Sequence, residues 1–207
     1  MQPGEIEALS FKIIDAEAGP HGFTDDRWQI VRRMIHTSAD FDYMESVRFH
    51  PEAIAAGIGA IKKGKTIVTD TNMALAGIRK GDLARFGGSA TCLIKDPAVA
   101  ATARQAGSTR AKAAAEAAAE MMRDGIYVVG NAPTALLEVI RLISAQAAAP
   151  ALVVGLPVGF VNAAESKQAL MELKTPYITN VGRKGGSNIA ASVINALIIQ
   201  ATAEGRG

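Results

Sequence analysis

Arg32-Arg33-Met34-Ile35-His36 sets two guanidinium groups and a titratable imidazole on one short stretch of chain. Upstream, Thr24-Asp25-Asp26-Arg27 reads as an N-cap followed by acids in a first helical turn. Trp28, Val31 and Ile35 then recur at three- and four-residue spacing, which predicts a helix. His36 falls beside that apolar stripe, one turn beyond Arg32 and Arg33. An imidazole at the edge of a core, flanked by guanidinium groups, can transfer a proton next to an anionic ligand. The same pattern also describes a half-buried structural histidine with two solvated arginines, and periodicity alone does not separate the two.

Other candidates gather where strands give way to helices. Thr69-Asp70-Thr71-Asn72 follows one apolar run, and Gly130-Asn131-Ala132-Pro133-Thr134 follows another. Gly155-Leu156-Pro157-Val158-Gly159-Phe160 leads on to Glu165-Ser166-Lys167, and Gly182-Arg183-Lys184-Gly185-Gly186-Ser187 directly precedes a helical segment. Glycines allow close backbone approach, and free amides at a helix start bind anions, with Arg183 and Lys184 adding charge. Arg110 takes a comparable place after Ser108 and Thr109. Together these positions predict a pocket for several carboxylates or phosphates. A serine-capped glycine turn accounts for Gly182 to Ser187 equally well, and Asp70 reads as a helix cap or as a supporting acid. Neither a P-loop nor a Gly-x-Gly-x-x-Gly fingerprint is present, and three scattered histidines with one cysteine predict no metal site. His21 and His50 read as surface or capping residues.

The elements that must position these residues alternate. Thr66 to Thr69, Ala90 to Ile94, Ile126 to Val129, Ala151 to Val154 and Tyr177 to Thr179 are short, apolar and mostly β-branched, as strands buried on both faces are. Helical segments over Pro97–Arg104, Arg110–Arg123, Pro133–Ala145, Gly159–Leu173 and Asn188–Ala203 separate or follow them. That order demands right-handed crossovers and predicts a three-layer α/β/α fold with a five-stranded parallel, flavodoxin-like sheet. Residues 1–63 read as a helical or irregular N-terminal part and 64–207 as the α/β core of one domain. The alanines at 113–115 and 117–119 suit either close packing inside the chain or the approach of a second copy, making a homodimer.

Composition narrows the classes. The chain has 207 residues, with 49% hydrophobic, 20% charged and a net charge of +2, which suits one well-buried globular domain and argues against nucleic acid. Aromatics at 5% also leave few stacking platforms for bases. A lone cysteine, Cys92, in the apolar run Ala90 to Ile94 reads as a buried structural thiol and fits a reducing cytoplasm. The longest apolar stretch, Ile189 to Ala203, is broken by Ser192, Asn195 and Gln200, and no run reaches the roughly 18 residues of a membrane span. A soluble, cytoplasmic protein is expected.

Four blocks, in this order, carry a resemblance. They are Arg32 to His36, Gly130-Asn131-Ala132-Pro133-Thr134-Ala135-Leu136, Pro157-Val158-Gly159-Phe160-Val161-Asn162-Ala163-Ala164-Glu165-Ser166-Lys167, and Gly182 to Ser187. Together they resemble the precorrin-8X methylmutase family, including its cobalt-precorrin-8 counterpart of the anaerobic pathway, from Ser10-Phe11 to the last helix. The resemblance implies a cobalamin-pathway isomerase moving a methyl group from carbon 11 to carbon 12 of a corrin precursor. The product would be hydrogenobyrinate or, with cobalt, cobyrinate. The family's catalytic histidine falls on His36, as proton donor to the macrocycle, and its substrate contacts fall on Ser10, Arg33 and Arg110. Asp70, Asn131, Thr134, Arg183 and Lys184 join them as candidate substrate-binding residues. Arginines hold carboxylates by charge-assisted, often bidentate, bonds, which suits a polycarboxylate ligand. No cofactor is implied, since the substrate is its own methyl donor, and neighbouring cobalamin-pathway enzymes are candidate partners. Asp40, one turn after His36, is placed to tune the imidazole. Two other readings stay open: a non-catalytic carrier of anionic tetrapyrroles, and a magnesium-dependent phosphate- or nucleotide-binding enzyme using Asp70 and Gly182 to Ser187.

Overall fold

A computed structural model describes residues 2–204. Among these residues one sheet has six strands: β1 (Val47–Phe49), β2 (Ile67–Thr69), β3 (Ala90–Thr91), β4 (Ile126–Val129), β5 (Leu152–Gly155) and β6 (Tyr177–Asn180). Their spatial order is β1-β6-β5-β4-β2-β3. The last five are parallel and follow the flavodoxin-like order expected of them. The sixth is a correction to the five-stranded expectation. β1 pairs antiparallel with β6, Val47 opposite Asn180 and Phe49 opposite Ile178, and it comes from the stretch read as helical or irregular. Three residues with a charge at the centre carry no strand signature alone, so this strand is made by the neighbour it pairs with. β3 is also shorter than expected, and Cys92 beyond it is half-buried, not buried.

Helices cover both faces. On one lie α2 (Asp25–Ser38), α4 (Ala53–Lys62), α5 (Asn72–Gly77) and α11 (Ser187–Glu204), with α1 (Pro3–Ala18) laid outside α2. Short helices α3 (Tyr43–Ser46) and α6 (Lys80–Ala84) lead into and out of this layer. The other face carries α8 (Arg110–Ala117), α9 (Pro133–Ser144) and α10 (Ala163–Met171), with α7 (Pro97–Gln105) packed on α8. Strand alternation divides the two cores: Ile126 and Val128 enter the first, Tyr127 and Val129 the second. α11 is apolar nearly all round, with Ile189, Val193, Ile194, Leu197 and Ile198 at most 1% exposed, because it is clasped between sheet and α2. The alanines of α8 are used inside the chain: Ala113, Ala114 and Ala115 are buried against α7 and α9. Ala117 of the same helix is exposed.

Candidate active site

α2 and α11 run antiparallel, which decides where His36 lies. Gln200 near the end of α11 donates to the Asp26 carbonyl at the start of α2, 2.9 Å away. The other end of α2, with His36 in its last turn, therefore reaches the edge where the parallel strands terminate. Thr24 takes the N-cap position of α2, though its side chain makes no cap bond. The left-handed Ala39 (φ 54°) closes the helix by donating its N–H to the Ile35 carbonyl.

His36 is exposed and opens onto a groove of about 450 Å³ that Ser10, Ile13, Glu17 and Phe41 also line. Phe11 organises this corner, and residue-by-residue reading of the sequence passed over it. Its ring meets His36 edge-on at 5.2 Å, while the Arg32 and Arg33 guanidiniums lie 4.5 and 5.2 Å from its centroid. Glu7 and Asp15, one turn to either side of Phe11 on α1, pair with Arg33 (2.9 Å) and Arg32 (2.8 Å). The acid–aromatic–acid spacing Glu7, Phe11, Asp15 was the available signal, since four-residue steps share a helix face. Ser10 is half-buried, with its hydroxyl turned back to the Ile6 carbonyl. Ser10, Arg33 and His36 are thus brought together.

A second group forms where β2 and β4 end. Asp70 is 1% exposed, and its carboxylate accepts the backbone N–H groups of Gly130 (2.9 Å), Asn131 (2.8 Å) and Ala132 (2.8 Å). Burial pushes this carboxyl up, and the three amide donors pull it back. Asp70 does not cap its own helix: the Thr71 hydroxyl does, accepting from Ala74 N–H at 3.1 Å. Asp70 instead fixes the turn that presents Asn131, exposed at the tip, and Thr134 in the first turn of α9. Thr109, the N-cap of α8, donates to the Thr134 hydroxyl at 3.1 Å, so Arg110 at the head of α8 adjoins that turn. Arg110 is exposed and makes no ion pair among the described residues. Its helix and that of His36 lie on opposite faces of the sheet.

The third group is the turn after β6. Arg183 lies over the ring of Phe160, which is 86% exposed, at 5.1 Å. The Lys184 ammonium bonds Asp40 at 2.7 Å and Asp42 at 2.5 Å. That ammonium holds the Asp40 carboxyl below the usual range, so Asp40 answers first to Lys184 and not to His36. A cavity of about 430 Å³ lies between this turn, the head of α11 and the end of α2, bounded by Thr37, Ser38, Lys184 and Asn188. The Ser187 hydroxyl bonds that of Thr71 at 2.8 Å, and Gly130 packs on the Ser187 backbone so closely that a Cβ would lie 2.5 Å from its Cα. These contacts join the second and third groups along one sheet edge. His21 stacks on Trp28 at 4.0 Å, and His50 accepts the Glu52 N–H, so neither enters the site.

An α/β/α fold with cations and an exposed imidazole gathered on its carboxyl edge is suited to a small anionic ligand. Comparison with known proteins gives the family. Residues 5–200 match the family model for precorrin-8X methylmutase. The chain is 49% identical to a cobalt-precorrin-8 methylmutase of Priestia megaterium, over 97% of this chain and 89% of that one. It is 38% identical to a precorrin-8X methylmutase of Pseudomonas aeruginosa, with 93% of each covered. The solved structure of a precorrin-8X methylmutase from Thermus thermophilus superposes with a TM-score of 0.90 at 46% identity, covering 97% of both chains. The chain belongs to the precorrin-8X methylmutase family, and is thus an isomerase of corrin biosynthesis.

Proposed function

We propose that this isomerase moves a methyl group from carbon 11 to carbon 12 of precorrin-8X or cobalt-precorrin-8, giving hydrogenobyrinate or cobyrinate, with His36 as proton donor. The observation that carries the reading is the exposed imidazole on a groove of about 450 Å³ beside two guanidiniums already oriented by Phe11, Glu7 and Asp15. A polycarboxylate macrocycle supplies the anions these cations favour. Proton transfer from His36 leaves the macrocycle short of electrons, which favours migration of the methyl group across one face. Return of the proton restores the ring, so the reaction is a net isomerisation that consumes nothing. Ser10 and Arg33 hold the substrate beside His36. Arg110, Asn131, Thr134 and Arg183 take peripheral carboxylates, while Asp70 positions the turn of Asn131 and Lys184 ties the turn of Arg183 to the segment that follows α2.

The test mixes the purified protein, or His36→Ala, with each substrate and follows the visible spectrum. Conversion by the wild type alone, with binding retained by the variant, supports the reading. Binding without conversion of either substrate makes the protein a carrier, and absence of binding removes the corrinoid reading. A homodimer belongs to the same proposal. Ile6, Leu9 and Ile13 leave α1 with an exposed apolar stripe, 44–55% accessible, bordering the groove. Light scattering is expected to give twice the 21.6 kDa chain mass.

A further inference from the structure

Lysine is almost never fully buried unless an acid accompanies it. Lys167 of α10 is 0% exposed, and no acid pairs with it among the described residues. Its ammonium donates to the Asn180 side-chain oxygen at 3.0 Å and to the Lys184 carbonyl at 2.6 Å. Asn180, the last residue of β6, donates its amide to the same carbonyl at 3.0 Å and to the Val181 carbonyl at 3.3 Å. An apolar side chain of similar length would fill this space without the cost of a buried charge. What the lysine adds is the bond to the turn.

That turn is held on every side. Gly186 N–H donates to the Leu156 carbonyl at 3.0 Å, the Arg183 carbonyl accepts Gly159 N–H at 3.2 Å, and a Cβ on Gly185 would lie 2.2 Å from the Leu156 oxygen. From the far side of the pinned peptide, the Lys184 side chain reaches out to Asp40 and Asp42, the acids that follow the helix of His36. The links therefore run in series from Lys167 through Asn180 and the Lys184 backbone to its ammonium and on to Asp40 and Asp42.

We propose that Lys167 is a positioning residue for the His36 site, pinning the Lys184 peptide so that the Lys184 side chain anchors the chain leaving α2. The inference rests on His36 as the proton donor. The strut also carries a consequence that is independent of catalysis: the turn at 181–186 and the segment at 40–42 hold or loosen together when Lys167 is changed.

The test uses Lys167→Met, Lys184→Met and the double variant of the full chain, with hydrogen exchange and turnover as readouts. In Lys167→Met, amide exchange is expected to rise at least tenfold at both 181–186 and 40–42, with α9 unaffected. In Lys184→Met it rises only at 40–42. With cobalt-precorrin-8 or precorrin-8X, each single variant is expected to lower kcat about tenfold, with KM moved less than threefold in Lys184→Met, where the turn that carries Arg183 stays in place. The double variant loses no more than the worse single, because both cut one chain of contacts. Losses that multiply, unchanged kcat, or loosening confined to the turn in Lys167→Met overturn the proposal. If Lys167→Met unfolds, Lys184→Met, altered only at a half-exposed side chain, still has to lower kcat. Should the wild type convert neither substrate, the proposed function fails, and the exchange pattern alone decides the strut.

Discussion

Asp70→Asn tests how the carboxyl edge of the sheet is held. In the native chain one carboxylate oxygen accepts Gly130 N–H and the other accepts Asn131 and Ala132 N–H. Asparagine retains one oxygen, best directed at the Asn131 and Ala132 amides, and turns its NH2 toward the Gly130 N–H. Two bonds to a charged acceptor become neutral ones, at about 1 kcal/mol each, and one buried amide is orphaned at a further 1–3 kcal/mol. Relief from burying a charge offsets roughly 1–2 kcal/mol of this. The net expectation is a loss of about 2–3 kcal/mol, read by urea unfolding as a lower midpoint at unchanged slope. Because the turn carries Asn131 and precedes Thr134, substrate affinity is expected to fall as well. A stability loss under about 1 kcal/mol would refute the clamp, since it would mean the turn keeps its shape without the carboxylate.

Further outcomes are expected elsewhere. Burial pulls the Lys167 amine down to about 8, below its unfolded value of 10.5. Between those two pH values the unfolded chain binds a proton that the folded chain does not. Stability against unfolding should therefore rise with pH across that window, by up to about 3 kcal/mol, and Lys167→Met should flatten the rise. Arg110→Ala should leave the unfolding free energy within about 0.5 kcal/mol and weaken substrate binding roughly tenfold or more, measured by spectral titration. Gly185→Ala places a methyl on the Leu156 carbonyl, so its turn must move, and hydrogen exchange should show Gly186 losing protection. Asp40→Asn should leave the pH–rate profile of the His36 step nearly unmoved, because Asp40 is already engaged by Lys184; a clear shift in that profile would contradict this.

The parallel sheet was legible because its strands are short, apolar on both faces and separated by helices with clear starts. Ile126 to Val129 and Leu152 to Gly155 are buried at every residue. β1 was not legible, because Val47-Arg48-Phe49 becomes a strand only beside Tyr177 to Asn180. The site divided in the same way. His36 and its arginines are local in sequence and stood out. Phe11 acts across an interhelical contact, which its spacing with Glu7 and Asp15 marks only as a shared helix face, and Asp70 clamps amides 60 to 62 positions away, a role with no local pattern. Lys167 stayed unremarked within its block because the two acceptors that hold it come from other parts of the chain.

The short β1 has a consequence for how copies of this chain can meet. Without it, β6 would present four residues of open hydrogen-bonding edge, enough to template strand addition by another chain. With it, the sheet ends in three residues on one side and two on the other, β1 and β3. Neither margin is long enough to knit sheets into a continuous ribbon. Association of folded copies is therefore directed to side-chain surfaces of the helical layers, where it can be tuned one residue at a time, and away from backbone pairing, which any extended peptide could imitate.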